Sequence, residues 1–288
     1  MMVYIDGKFV PENEAKVSVF DRSFLYGDGL FETILLFNHS LFRYKEHIER
    51  LKRCLNFLKI PCNFKDDDIQ KTAIELSHKN NMPKGMLRFQ VSRGIGLRGY
   101  AIRGAKTPFM TMSTHPMPVV NPDTPQQWKT ITSSYKIPVN NDLFNHKTCN
   151  KLINILAKQE ADSQNVDDAI LLNTDNNVVC GSSSNLFYIN SGIILTPPAE
   201  SGALPGVTRS VIFELCKKLG LHYGESNVKP HKLFEMDGVF LTMSSWGIIE
   251  VSTINNKDIR TSELTKILHT HYWNTVSDEC KNEEFQAN

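Results

Sequence analysis

FNHKTCNKLINILAKQEA, residues 144–161, sets a lysine, Lys147, just ahead of a stretch whose apolar residues recur at helical spacing. Asn145 reads as a helix N-cap, and the helix is expected to run from Thr148 with one apolar face buried. A lysine in the first turn of a helix meets the positive end of the aligned amide dipoles. That position lowers its pKa and frees the amine as a nucleophile, which Schiff-base chemistry needs. The plain alternative is a solvated surface lysine.

Downstream, DDAILLNTDNNVVCGSSSNLF (167–187) reads as strand, turn, strand, a serine-rich turn and a further strand. GALPGVTRSVI (202–212) opens a helix from Thr208. Free backbone N–H groups at such a start, with the Thr208 hydroxyl, make an anion site, though Gly-Val-Thr also serves as a simple cap. Thr242, Ser244 and Ser245 in FLTMSSWGIIEV (240–251) follow a strand, where hydroxyls reach the same anion or only form a loop. Arg50, in HIERL, matches a phosphate by bidentate hydrogen bonds, unless it pairs with Glu46 or Glu49 on its own helix.

The rest of the chain narrows the class. A length of 288 residues suits two domains. A formal net charge of +1, with basic residues scattered, argues against nucleic acid and anionic membranes as partners. No apolar run approaches the roughly 20 residues that span a bilayer. The N-terminus alternates apolar and polar residues and reads as a hairpin turning at Asp6-Gly7, not as a signal peptide. The six cysteines (54, 62, 149, 180, 216 and 280) form no CxxC pair, which points to reduced thiols in a cytoplasmic protein.

Strands are expected at MVYIDGKFV, LFETILLF and MLRFQVSRG. A helix is expected over LFRYKEHIERLKRCLNFLKI, stopped by Pro61, and another over DDDIQKTAIELSHKNN, with acidic residues in its first turn. The proline-bearing stretch MPVVNPDTPQQ marks a linker. The division is therefore a small α/β domain over 1–117, a linker over 118–127 and a larger mixed-sheet domain over 128–288. The fold class is α/β (α+β). The polar tail SDECKNEEFQAN is expected to fray.

Taken in order, these motifs resemble the class IV aminotransferases, a family that includes D-amino-acid and branched-chain transaminases and 4-amino-4-deoxychorismate lyase. The resemblance runs from DRSFLYGDGLFETI (21–34) to FLTMSSWGIIEV. It implies a fold-type IV enzyme, pyridoxal 5'-phosphate as cofactor, a small-molecule substrate and a homodimer. By the same resemblance Lys147 would form the internal aldimine. Arg50, Val207, Thr208, Ser244 and Ser245 would hold the phosphate, and Ser183, Ser184 and Asn185 would lie beside the cofactor ring. Tyr26, Phe31 and Thr33 would line the substrate pocket, with Arg98 facing the substrate carboxylate and Tyr100 nearby. A glycine-rich loop arginine is the bland reading of Arg98.

The stretch SRGIGLRGY (92–100) is similar to the lyase pattern, in which Ser-Arg-Gly runs into Arg-Gly-Tyr; D-amino-acid transaminases carry histidine where Tyr100 stands. Thr33 also matches the lyase. AKQEADSQNVDDAILLN (157–173) is closer to the D-amino-acid transaminases. Cys180 departs from the family, which places a glutamate there to keep the pyridine nitrogen protonated. A neutral thiol supplies no such charge. A thiolate would, if the pyridinium lowered its pKa, and a small buried filler is the third option. These expectations favour a lyase that converts 4-amino-4-deoxychorismate to 4-aminobenzoate and pyruvate, a step of folate biosynthesis. A D-amino-acid or branched-chain transaminase is the alternative, and a catalytically impaired cofactor-binding homologue the third reading.

Overall fold

In a computed structural model, which describes residues 1–61 and 64–281, the chain turns back on itself at Asp6 and Gly7 to pair β1 (Met2–Ile5) with β2 (Lys8–Pro11). Both turn residues have positive φ, 41° and 96°, the twist that matches two antiparallel strands. Of the tail expected to fray, residues 277–288, the first three continue a helix and Cys280 is buried, so no fraying begins there; residues 282–288, with Cys62, lie outside the described residues.

The chain divides into two units. The first holds Met1–Met117, Lys147–Asn150 and the stretch from Val276; the second holds Pro118–His146 and Lys151–Thr275. After a short helix α1 (Arg22–Tyr26), the first unit continues through β3 (Gly29–Phe37), β4 (Ser40–Leu41), α2 (Tyr44–Leu58), α3 (Asp66–Lys79), β5 (Lys84–Ser92) and β6 (Phe109–His115). Its sheet runs β2-β1-β6-β5-β3-β4. Leu30, Ile34, Leu36, Leu87, Phe89 and Val91 alternate onto one face and bury against Tyr44, Ile48, Leu51 and Leu55 of α2. The acidic residues expected in the first turn of α3 are Asp66, Asp67 and Asp68. Pro61 is not what ends α2: Lys59 turns left-handed at φ 53° and closes the helix two residues earlier.

The second unit contains β7 (Gln126–Ile137), α4 (Leu152–Ser163), β8 (Asp168–Asn173), β9 (Val178–Gly181), β10 (Asn185–Asn190), β11 (Ile193–Thr196), α5 (Val207–Lys218), β12 (Tyr223–Glu225), β13 (Gly238–Met243), β14 (Gly247–Ile254), β15 (Lys257–Asp258) and most of α6 (Glu263–Glu279). β7 and β8 are parallel, a pairing that needs a crossover, and α4 supplies it. The strand order is β12-β11-β10-β13-β14-β7-β8-β9, and β9 pairs again with β10. Six strands therefore close on themselves, the last rung being Cys180 opposite Asn185. No helix among the described residues is long and apolar enough to cross a membrane.

Three sequence expectations need correction. The helix expected from Thr148 starts at Leu152, because Thr148 bridges Leu30 and the Cys149 N–H donates to the Gly29 carbonyl at 2.8 Å, which keeps the segment extended. For the same reason Lys147–Asn150 groups with the first unit and not with a contiguous domain over 128–288. The linker of 118–127 is also shorter, since β7 begins at Gln126.

Candidate active site

Lys147 lies in an extended segment on the β3 edge, not in a helix turn, so the dipole argument for its reactivity falls. The Phe31 N–H donates to the Lys147 carbonyl at 3.1 Å. The half-buried amine sits 4.6 Å from the centre of the Phe31 ring, whose π face attracts it. Arg88 lies 4.1 Å from the same ring, so Phe31 faces two cations. Thr33 is opposite Arg88 on the paired strand. Asn145, expected to cap a helix, instead donates through Nδ2 to the carbonyls of Ala199 and Ala203.

Arg50 is buried on the inner side of α2, and it pairs with Glu32 of β3. Its Nε donates to Glu32 Oε1 at 2.8 Å and its Nη2 to Oε2 at 2.5 Å. His47 Nδ1 lies 2.8 Å from Glu32 Oε2. An ionised carboxylate only accepts, so that imidazole nitrogen carries the proton. Burial works to raise the Glu32 pKa, but the charge and hydrogen bonds of Arg50 and the bond from His47 outweigh it and bring it from 4.5 to about 2. Burial, with Arg50 and Lys147 as neighbouring charges, holds His47 below its ordinary value against the pull of Glu32. Neither Glu32 nor His47 stood out in the sequence. The available signal was a carboxylate at a core-facing position of an alternating strand.

Tyr26 and Tyr100, named from separate motifs, meet edge to face with ring centres 5.6 Å apart, and Tyr26 Oη accepts the Gly99 N–H at 3.2 Å. Arg98, next in the chain, is exposed.

The remaining candidates belong to the second unit. Asn185 reaches the start of α5: its Nδ2 donates to the Leu204 carbonyl at 2.8 Å, and a Cβ on Gly206 would fall 2.0 Å from its Oδ1. Val207 and Thr208 are buried in the first turn of α5, whose N-cap, Gly206, offers no side chain to the free amides. Thr242 is opposite Asn185 in the β13 register, and its Oγ1 is buried with no hydrogen-bond partner among the described residues. Ser244 and Ser245 form the half-buried turn between β13 and β14. In the serine turn Ser183 is exposed, whereas Ser184 is buried and donates to Asp168 Oδ2 at 3.5 Å. Asp168, missed in the sequence, also accepts the Ser182 N–H at 3.2 Å and organises this turn from the head of β8. An acid opening an otherwise apolar strand was its signal.

Cys180 is a neutral thiol. Burial first, then the charge of Asp168, push its pKa up to about 12 against the pull of Lys151, and it packs with Ile131, Ala157, Ala161, Ala169 and Leu171. In these surroundings the thiol stays protonated at neutral pH, the setting of a small buried filler; a thiolate would need the added charge of a pyridinium beside it.

The Glu32 cluster yields a pH signature. A carboxyl whose folded pKa lies below its unfolded value stabilises the fold above about 4.5, and that contribution is lost as pH falls toward about 2. Glu32→Gln strands the Arg50 charge and is expected to cost about 3–5 kcal/mol at pH 7. Urea titrations between pH 7 and pH 3 should show a shallower acid loss in the variant than in wild type; equal slopes would show that Glu32 does not carry it.

The family model of the class IV amino-transferases matches residues 29–254. A Methanocaldococcus jannaschii protein assigned as a branched-chain-amino-acid aminotransferase is 35% identical over 275 residues, 93% of this chain and 94% of the relative. A Bacillus licheniformis D-alanine aminotransferase is 31% identical, over 97% of this chain and 98% of its own. Among solved structures, a Legionella pneumophila protein assigned as a 4-amino-4-deoxychorismate lyase superposes with a TM-score of 0.84 at 28% identity, covering 94% of this chain and 97% of that one. The sheets and helices are those of fold-type IV.

Proposed function

This chain belongs to the class IV amino-transferase family, and on that premise we propose that it is a pyridoxal-phosphate enzyme acting on the amino group of a carboxylate-bearing substrate, with elimination of pyruvate from 4-amino-4-deoxychorismate as the leading reaction. The residues fit the cofactor. The first turn of α5, with no side-chain cap, presents amides of Val207 and Thr208, and Thr242 Oγ1 is a buried hydroxyl lacking a partner among the described residues, a donor set suited to a phosphate dianion. Ser244 and Ser245 follow on the strand that carries Thr242. By the family resemblance Arg50, which is paired with Glu32, would also contact the phosphate. When bound, pyridoxal phosphate supplies an aldehyde that joins an amine and a ring that draws electrons from the bond to be broken.

In this reading Lys147 would hold the cofactor through Nζ, and the same amine would carry the proton taken from the substrate carbon. Phe31 keeps that nitrogen on one side of β3. Arg98 and Tyr100 orient the carboxylate.

One observation tilts the choice of reaction: Cys180, where the family pattern has glutamate, is neutral and packed among apolar side chains. Moving an amino group requires negative charge to be held on the substrate until a proton arrives at another carbon, and Cys180 gives that no electrostatic support. Releasing pyruvate while an aromatic ring forms has a driving force of its own. The two aminotransferase relatives favour the second reading, transamination of a D-amino or branched-chain amino acid.

Three measurements test these roles. Wild type is expected to release 4-aminobenzoate and pyruvate without an added keto acid, and Cys180→Glu to transfer amino groups from D-alanine or L-leucine to 2-oxoglutarate on the order of tenfold faster or more. Equal transamination by the two proteins sinks the lyase argument. After borohydride reduction, peptide mass spectrometry should find the cofactor on Lys147, and Lys147→Ala should lose the visible absorption band; a band that persists assigns the bond to another lysine. Thr242→Val should leave the cofactor-free protein as stable as before or more so, since it removes an unpaired buried hydroxyl. It should also weaken cofactor affinity by about 10- to 100-fold, the loss of one charge-assisted hydrogen bond. Unchanged affinity in a dialysis titration would take Thr242 out of the phosphate site.

A further inference from the structure

The loop that carries Arg98 and Tyr100 contains Gly94, Gly96, Gly99 and Gly104, and Ile95, Leu97, Tyr100 and Ile102 are exposed on it. Such a segment has little packing of its own to fix its shape. One side chain compensates. Arg22 is buried, with 3% of its surface exposed, and its guanidinium donates to three consecutive carbonyls of the loop: Nη1 to Gly99 at 2.9 Å and to Ala101 at 3.3 Å, and Nη2 to Tyr100 at 3.2 Å. Its remaining nitrogen, Nε, donates to Asp28 Oδ2 at 2.8 Å. Below it lies the Tyr26 ring, 5.0 Å away, whose hydroxyl accepts the Gly99 N–H. The loop passes so close to the Arg22 stem that a Cβ on Gly96 would meet Cδ at 3.1 Å.

Asp28 is itself fixed. Arg93 donates to it through Nε at 2.7 Å and Nη2 at 3.0 Å, and also to the carbonyls of Leu58 and Lys59 at the end of α2. A continuous chain of charged hydrogen bonds thus runs from the α2 terminus through Arg93, Asp28 and Arg22 to the backbone on the C-terminal side of Arg98. The contacts grip main chain only, which leaves the exposed Arg98 side chain for a ligand.

We infer that Arg22, braced by Asp28, is a positioning residue that sets the place of Arg98 and Tyr100 and thereby how tightly the substrate carboxylate is bound. The inference rests on the reading above that these two residues meet the carboxylate. Lysine cannot replace arginine here, because a single ammonium cannot serve Asp28 and three carbonyls in a plane at once.

The test uses cofactor-loaded enzyme with Arg22→Lys, which keeps the charge beside Asp28, and Arg22→Met as a harsher second variant. Hydrogen exchange of residues 96–104 should quicken by about tenfold or more in Arg22→Lys while β3 and β5 stay protected. For whichever substrate the enzyme turns over, KM should rise about tenfold with kcat within about threefold of wild type. Arg98→Met is measured in parallel, and adding Arg22→Lys to it should raise KM by less than the product of the two single effects, since both act in part through the Arg98 contact. Exchange or KM unchanged in both Arg22 variants overturns the inference, as does an Arg22→Lys effect that multiplies fully with Arg98→Met. If Arg98→Met itself leaves KM unchanged, the carboxylate reading beneath it fails instead.

Discussion

Two backbone hydrogen bonds, from the Phe31 N–H to the Lys147 carbonyl and from the Cys149 N–H to the Gly29 carbonyl, decide what the first unit presents for chemistry. They turn residues 147–149 into an added edge of the β3 sheet. Lys147 must then project on the Phe31 side of the strand, because side chains of paired strands alternate together. Each bond contributes only about 0.5–1.5 kcal/mol net. Their larger effect is directional: a flexible four-carbon side chain starts from a backbone that cannot rotate.

Beneath that edge, charge is buried in a repeated pattern. Glu32 takes Arg50 and His47; Asp28 takes Arg22 and Arg93. In each case burial alone would raise the carboxyl's pKa, and the basic partners reverse the sign. Buried ion pairs of this kind add little net stability compared with apolar packing. What they provide is fixed direction, since a guanidinium bonded through two of its nitrogens cannot swing. Both clusters lie on elements that flank the candidate residues Phe31, Thr33 and Tyr26, so the stiffness is placed where orientation matters.

Local rules were legible in the chain. Asp6-Gly7 announced its hairpin, the spacing of Ile48, Leu51 and Leu55 announced α2, and Gly-Val-Thr announced the start of α5 within one residue. Lys147 shows where such rules stop. Its neighbours Asn145 and Leu152 carry helix signals, yet a partner more than a hundred residues away, Leu30, holds the segment extended. Arg50 shows the same limit: nearby acids on its own helix were the visible candidates, and Glu32, which pairs with it, lies on another element 18 residues earlier. That a cysteine stands at position 180 could be read directly. That its thiol stays protonated could not, because that depends on the apolar side chains and on Asp168 gathered around it by the sheet.

The make-up of the first unit bears on how the chain is assembled during synthesis. Residues 1–117 supply its sheet and both of its longer helices, but its edge segment is 147–150 and its last piece begins at Val276. A ribosome delivers these parts in order, so the first unit is still missing its closing pieces while the second is being made. Until Lys147–Cys149 arrives, the Gly29–Phe31 end of β3 has an unpaired edge, and such an edge is open to pairing with the wrong strand. The residue proposed to bind the cofactor therefore also ends that exposure, and the placing of its amine and the completion of the sheet edge come about in one event.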